Sequence, residues 1–118
     1  MLRSASFIVL ASVACVSTAS ADATGNQIKA YCDAPMQTPA NAMCLGYISG
    51  ALDAYRVVGH MRKTKLFCEP ESATGEQIVS MVKKYLDEHP EQLHWVASQL
   101  IYIVMARTFP CTNQEKSK

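Results

Sequence analysis

The stretch Thr74-Gly75-Glu76-Gln77-Ile78-Val79-Ser80-Met81-Val82-Lys83-Lys84-Tyr85-Leu86 decides the fold. Thr74 and Gln77 have the T-x-x-Q spacing of a capping box, which satisfies two backbone groups at a helix start. Ile78, Met81, Val82, Tyr85 and Leu86 then fall at i, i+3, i+4, i+7 and i+8, one apolar stripe of a 3.6-residue helix. Such a stripe has to be covered, and the flanking segments supply the cover as helices. Downstream, His89-Pro90-Glu91 breaks the pattern, because the residue before Pro is pushed out of helical geometry while Pro suits a first turn. A last helix is expected over about Pro90–Arg107, carrying Leu93, Val96, Ala97, Leu100, Ile101 and Val104 on one face. Trp95, Tyr102 and Met105 lie on its other side, which predicts a helix buried on two sides at the centre of a bundle.

Upstream, Thr38-Pro39 is a hydroxyl cap followed by Pro at the first helical position, and a long helix is expected from there to about His60. Its expected buried stripe is Cys44, Tyr47, Ile48, Ala51, Tyr55 and Val58. Gly46, Gly50 and Ala54 lie four apart along the same helix, and each Gly costs roughly 1 kcal/mol of helix propensity relative to Ala. The expected compensation is a close crossing with another helix. A short helix over Gly25–Cys32, with Thr24 as cap, precedes a polar loop at Asp33–Thr38. No window alternates with a period of two for long enough to make a sheet. The chain therefore reads as all-α, a small bundle of about four helices.

At 118 residues, with 49% hydrophobic residues and a net charge of +1, the chain is sized for one globular domain. It has neither the low hydrophobicity nor the high net charge of a disordered segment. A net charge of +1 also gives no electrostatic footprint for nucleic acid, so no nucleic-acid partner is expected.

Residues 1–21 have the layout of a secretory signal peptide: Arg3, the apolar run Phe7–Val16, then Ala19-Ser20-Ala21 as an A-x-A site. Cleavage after Ala21 is expected, which leaves residues 22–118 as the mature domain, in the periplasm and without a membrane anchor. The apolar run is about half the ~20 residues a spanning helix needs. A lipoprotein signal at Cys15 is disfavoured by Ser12 three positions earlier, where an aliphatic residue is usual. Loss of Arg3 brings the 11 basic residues to parity with the 10 acidic ones.

Four cysteines remain: Cys32, Cys44, Cys68 and Cys111. In a short exported chain these read as a disulfide framework with three possible pairings. No C-x-x-C pair argues for zinc, and C-x-x-C-H for haem is absent; no cofactor or metal is expected. Cys32 ends one helix and Cys44 opens the next, while Cys68 and Cys111 sit just outside the third and fourth helices. The economical pairing is Cys32–Cys44 with Cys68–Cys111, against a crossed alternative.

No catalytic constellation emerges. His89, Glu91 and His94 do not make H-E-x-x-H, since the histidines are five apart and Pro90 intervenes. Gly46-Tyr47-Ile48-Ser49-Gly50 is not G-x-S-x-G and lies within a helix. Asp53, near Tyr55 and Arg56, is a single carboxylate without a partner base. The expected protein is therefore not an enzyme.

Taken in series, Cys44-Leu45-Gly46-Tyr47-Ile48-Ser49-Gly50, Phe67-Cys68-Glu69-Pro70, Tyr85-Leu86 with His89-Pro90-Glu91, and Phe109-Pro110-Cys111 resemble the Rap/Tai family. These are immunity proteins paired with type VI secretion amidase effectors. The resemblance implies a small all-α, disulfide-bonded periplasmic protein that binds and blocks a peptidoglycan amidase, often as a homodimer. The alternative is a periplasmic acid-stress chaperone with His60, His89 and His94 as triggers, or a binding module with no toxin. The shared motifs carry no contact residues, so the contact surface is read from the chain itself. The basic turn with His60, Arg62, Lys63 and Lys65 is expected to steer toward an acidic groove, and Asp33–Thr38 is a second polar, constrained loop.

Overall fold

The computed structural model describes residues 22–115. The expected signal segment, with cleavage expected after Ala21 and with Cys15, lies outside the described residues. Four α-helices follow in order: α1 (Gly25–Asp33), α2 (Pro39–Met61), α3 (Gly75–Glu88) and α4 (Ala97–Thr108), with a 3-10 turn at Pro90–Gln92 before α4. Three of the four starts are capped by threonine. Thr24 and Thr74 each form a full capping box, with Gln27 and Gln77 respectively. Thr38 accepts from the Asn41 N–H at 3.2 Å, with Pro39 at the first helical position.

The core draws on every helix. Ile28 and Cys32 come from α1, Cys44, Ile48 and Leu52 from α2, and Ile78, Val82 and Leu86 from α3. Ala97, Leu100, Ile101, Val104 and Met105 of α4 are all buried, and α4 packs on each of the other three. Disulfides join Cys32 to Cys44 and Cys68 to Cys111. On the chain-entropy model, cross-links of these spans are worth about 3 and about 4 kcal/mol.

The structure corrects four expectations. The last helix begins at Ala97, not Pro90, because a non-local contact sets its start. Thr24 and Val96 form an isolated antiparallel bridge. Around it the Ala97 N–H donates to the Ala23 carbonyl at 2.7 Å, and the Gly25 N–H to that of Trp95 at 2.9 Å. These bonds hold Val96 extended and keep residues 93–96 out of the helix. Second, Trp95 lies outside α4 and, like Tyr102, is partly exposed; of the three expected on the second buried side, only Met105 is buried.

Third, Val58 is exposed, and the buried row of α2 runs Cys44, Ile48, Leu52 and ends at Gly59. Fourth, Gly46 and Gly50 lie under no helix. A Cβ at either would meet nothing within 4 Å. The close approaches are at Gly25, whose Cβ would lie 2.6 Å from Leu100 Cδ1, and at Gly59.

Candidate functional site

The end of α2 is built on Gly59. The Thr64 N–H donates to the Gly59 carbonyl at 2.9 Å, and the Lys63 N–H to that of His60 at 3.1 Å. The six-to-one bond and the left-handed Lys63 (φ 53°) make a Schellman-type stop. It folds the Thr64 carbonyl over the helix, where a Cβ on residue 59 would be 2.7 Å from that oxygen. Only glycine leaves room.

From there the chain returns along α2 as a strap over residues 64–69. Phe67 is buried, its ring edge-on to Tyr55 at 6.3 Å between centroids. The Tyr55 hydroxyl donates to the Ser98 carbonyl at 2.5 Å, linking α2 to the start of α4. Burial holds that hydroxyl above the ordinary tyrosine value. Arg56 reaches Glu69 through Nε at 2.9 Å and through Nη2, and Asp53 through Nη1 at 2.8 Å. Glu69 in turn keeps the guanidinium even more firmly protonated. Cys68 fixes the far end twice, by its disulfide to Cys111 and by its N–H to the Phe109 carbonyl at 2.8 Å.

Between strap and helix lies a cleft of about 640 Å3. His60, Lys63 and Lys65 line it, together with Tyr55, Arg56 and Phe67. Arg62, the C-cap residue of α2, is exposed but not part of the lining. Three of the four residues expected to bind a partner are thus brought to one cleft. The sequence reading missed Arg56, Phe67 and Glu69. The opposite charges of Arg56 and Glu69, 13 residues apart, were the available signal, but only the strap's return puts them together.

The charges in this region differ from those elsewhere. Lys29 is held by Asp33 and Asp87, Lys83 lies 4.0 Å from Asp33, and Lys84 lies 3.8 Å from Glu88. Arg107 stands over the Tyr85 ring at 5.9 Å, and Arg56 is paired as above. Among the described residues, the lysines and arginines with neither an acidic partner nor an aromatic one are Arg62, Lys63 and Lys65. Beside them the end of α2 exposes Val57 and Met61, the latter at 77%. Exposed apolar side chains and unpaired cations thus share this end of the helix, a composition that interaction surfaces often have.

The second loop is rigid in its own way. Cys32–Cys44 closes it, and the Thr38 hydroxyl donates to the Pro35 carbonyl at 2.6 Å. It lies at the other end of α2, about 34 Å away by the 1.5 Å rise per residue. The two loops therefore do not form one patch. The histidines are also separate: His60 ends α2, His89 caps α3 beside Glu91, and His94 stands against Trp95. None is buried. Among the described residues no group of His, Cys, Asp and Glu could hold a metal ion, and no helix is long and apolar enough to cross a membrane.

From Thr24, the first helix cap, to Cys111, the last disulfide cysteine, the chain matches the family model of the Rap1a immunity proteins. The chain belongs to that family. No curated protein and no solved structure matches it. Immunity proteins act by binding a toxin and are non-enzymatic, so this Rap1a-family protein needs a surface and not a reaction centre. Its two disulfides are consistent with a place outside the cytoplasm.

Proposed function

We propose that the chain is exported, cleaved after Ala21, and retained in the periplasm as residues 22–118. There it binds a peptidoglycan amidase delivered by type VI secretion, and blocks it through the basic turn at the end of α2. The family match supports the immunity role, and the layout of residues 1–21 supports export. The observation that carries the choice of surface is the charge census: cations elsewhere in the described fold are partnered, whereas Arg62, Lys63 and Lys65 are left open to solvent. Exposed charges of one sign steer an oppositely charged partner and set its register more than they add affinity. Anchoring the turn at Gly59 and Cys68 limits the ordering cost of binding.

The direct test is inhibition. Residues 22–118, added in equimolar amount to a secreted amidase encoded beside it, should co-purify with that enzyme and stop it from cleaving peptidoglycan. Full cleavage activity in the presence of the folded, oxidised protein would reject the amidase as its target.

A further inference from the structure

The cleft behind the basic turn has a chemistry of its own. Its volume of about 640 Å3 lies within the ~300–1,000 Å3 of pockets that hold drug-sized molecules, so it can take a short run of peptide. Tyr55 and Phe67, meeting edge to face, and Leu66 make part of its lining apolar. Lys63 and Lys65 supply positive charge. Arg56 and Glu69 also line the cleft, but they pair with each other, and Asp53 takes the rest of the guanidinium, so these charges offset one another. Attraction for an incoming anion therefore rests on the two lysines without an acidic partner. An apolar wall beside two unpaired ammonium groups suits a carboxylate adjacent to an apolar side chain.

We infer that this cleft receives an acidic-apolar pair of residues exposed on the toxin. The carboxylate sits at Lys63 and Lys65, and the neighbouring aromatic or aliphatic side chain packs on Tyr55 and Phe67. The inference rests on the basic turn being the toxin-binding surface, and it adds a concave element into which the partner inserts. The cleft is preorganised for this. One side is fixed by the stop at Gly59, and the strap is tied at Cys68 to Cys111. Little ordering is left for the ligand to impose.

Isotope-labelled protein, residues 22–118, is titrated with three short capped peptides that differ only in their central pair: Asp-Phe, Asn-Phe and Asp-Ala. The Asp-Phe peptide should move the amide resonances of residues 63–67 saturably, and the other two should bind more weakly. Lys63→Gly and Lys65→Gln should each weaken the Asp-Phe peptide by roughly two- to fivefold, the worth of one exposed ion pair. Both positions are exposed, and glycine suits the left-handed backbone at residue 63, so both variants keep the fold. Lys84→Gln, on the outside of α3, should change nothing. Shifts centred elsewhere, equal binding of the Asp and Asn peptides, or no saturable response would overturn the inference. Toxin inhibition measured alongside separates the two ideas. Inhibition without a peptide response removes the cleft and leaves the surface standing; no inhibition by the wild-type protein rejects the amidase as its target, while the peptides still decide the chemistry of the cleft.

Discussion

Gly59 and Gly50 sit on one helix and respond oppositely to a side chain. At Gly59 a Cβ would press on the Thr64 carbonyl at 2.7 Å, and that oxygen belongs to backbone already committed to the helix stop. Gly59→Ala should therefore destabilise by about 1–3 kcal/mol, the usual range for overpacking. At Gly50 the space is open, so Gly50→Ala should gain up to about 1 kcal/mol of helix propensity. Urea denaturation of both variants checks the pair, with midpoints moving in opposite directions. Lys63 offers a third residue-scale test. A left-handed conformation costs an L-residue about 1–2 kcal/mol, and Lys63 adopts it at φ 53°. Lys63→Gly should raise stability by about 1 kcal/mol while weakening toxin binding. A loss of binding in a stabilised variant cannot be put down to unfolding. The sequence showed that Gly46 and Gly50 weaken a helix but not what faces them, so the helix crossing drawn from them was wrong. Gly59 drew no notice, because its neighbour Thr64 becomes a neighbour only when the chain turns back.

Helices whose ends are set by adjacent residues were legible. Thr38-Pro39 and Thr74 with Gln77 fix the starts of α2 and α3 through bonds spanning three residues, all visible in one short window. The start of α4 was not, because it depends on a bridge between Val96 and Thr24, which no local pattern encodes. The basic turn could be read as charge, but the cleft behind it needs the strap, and the strap needs Phe67 to find Tyr55. Tyr55 also joins α2 to α4, and its ionisation reports on that joint. Its folded value is raised by burial, so its contribution to stability is complete below the ordinary tyrosine value of about 10 and is lost as pH rises through the folded value. In alkaline titration followed by ultraviolet absorbance, Tyr55 should ionise in a late phase, above the ordinary tyrosine value. Tyr55→Phe should remove that late phase and cost about 1 kcal/mol, the net worth of one hydrogen bond. A titration curve unchanged by the substitution would place the late group elsewhere.

For the molecule as a whole, two cross-links and one small core share the burden of stability. Cys68–Cys111 spans 43 residues and anchors both the strap and the segment after α4. Cys68→Ser should cost about 2–5 kcal/mol, a large part of the ~5–15 kcal/mol of a typical domain. Thermal unfolding of the oxidised variant beside wild type gives the loss, and an unchanged midpoint would mean that the strap is held by Phe67 and Arg56 alone. The distribution of charge is equally a property of the whole. The described fold has paired its cations over most of its surface and concentrated the unpaired ones at one end of its longest helix. The most direct test of that end as the binding surface is the rate of association with the toxin, measured for wild type and for Arg62→Glu with Lys65→Glu at low and high salt. Wild type should associate fastest at low salt and slow as salt rises. The reversed variant should be roughly tenfold or more slower at low salt and should lose the wild-type salt dependence. Equal rates with the same salt dependence in both proteins would contradict the basic turn as the site of contact.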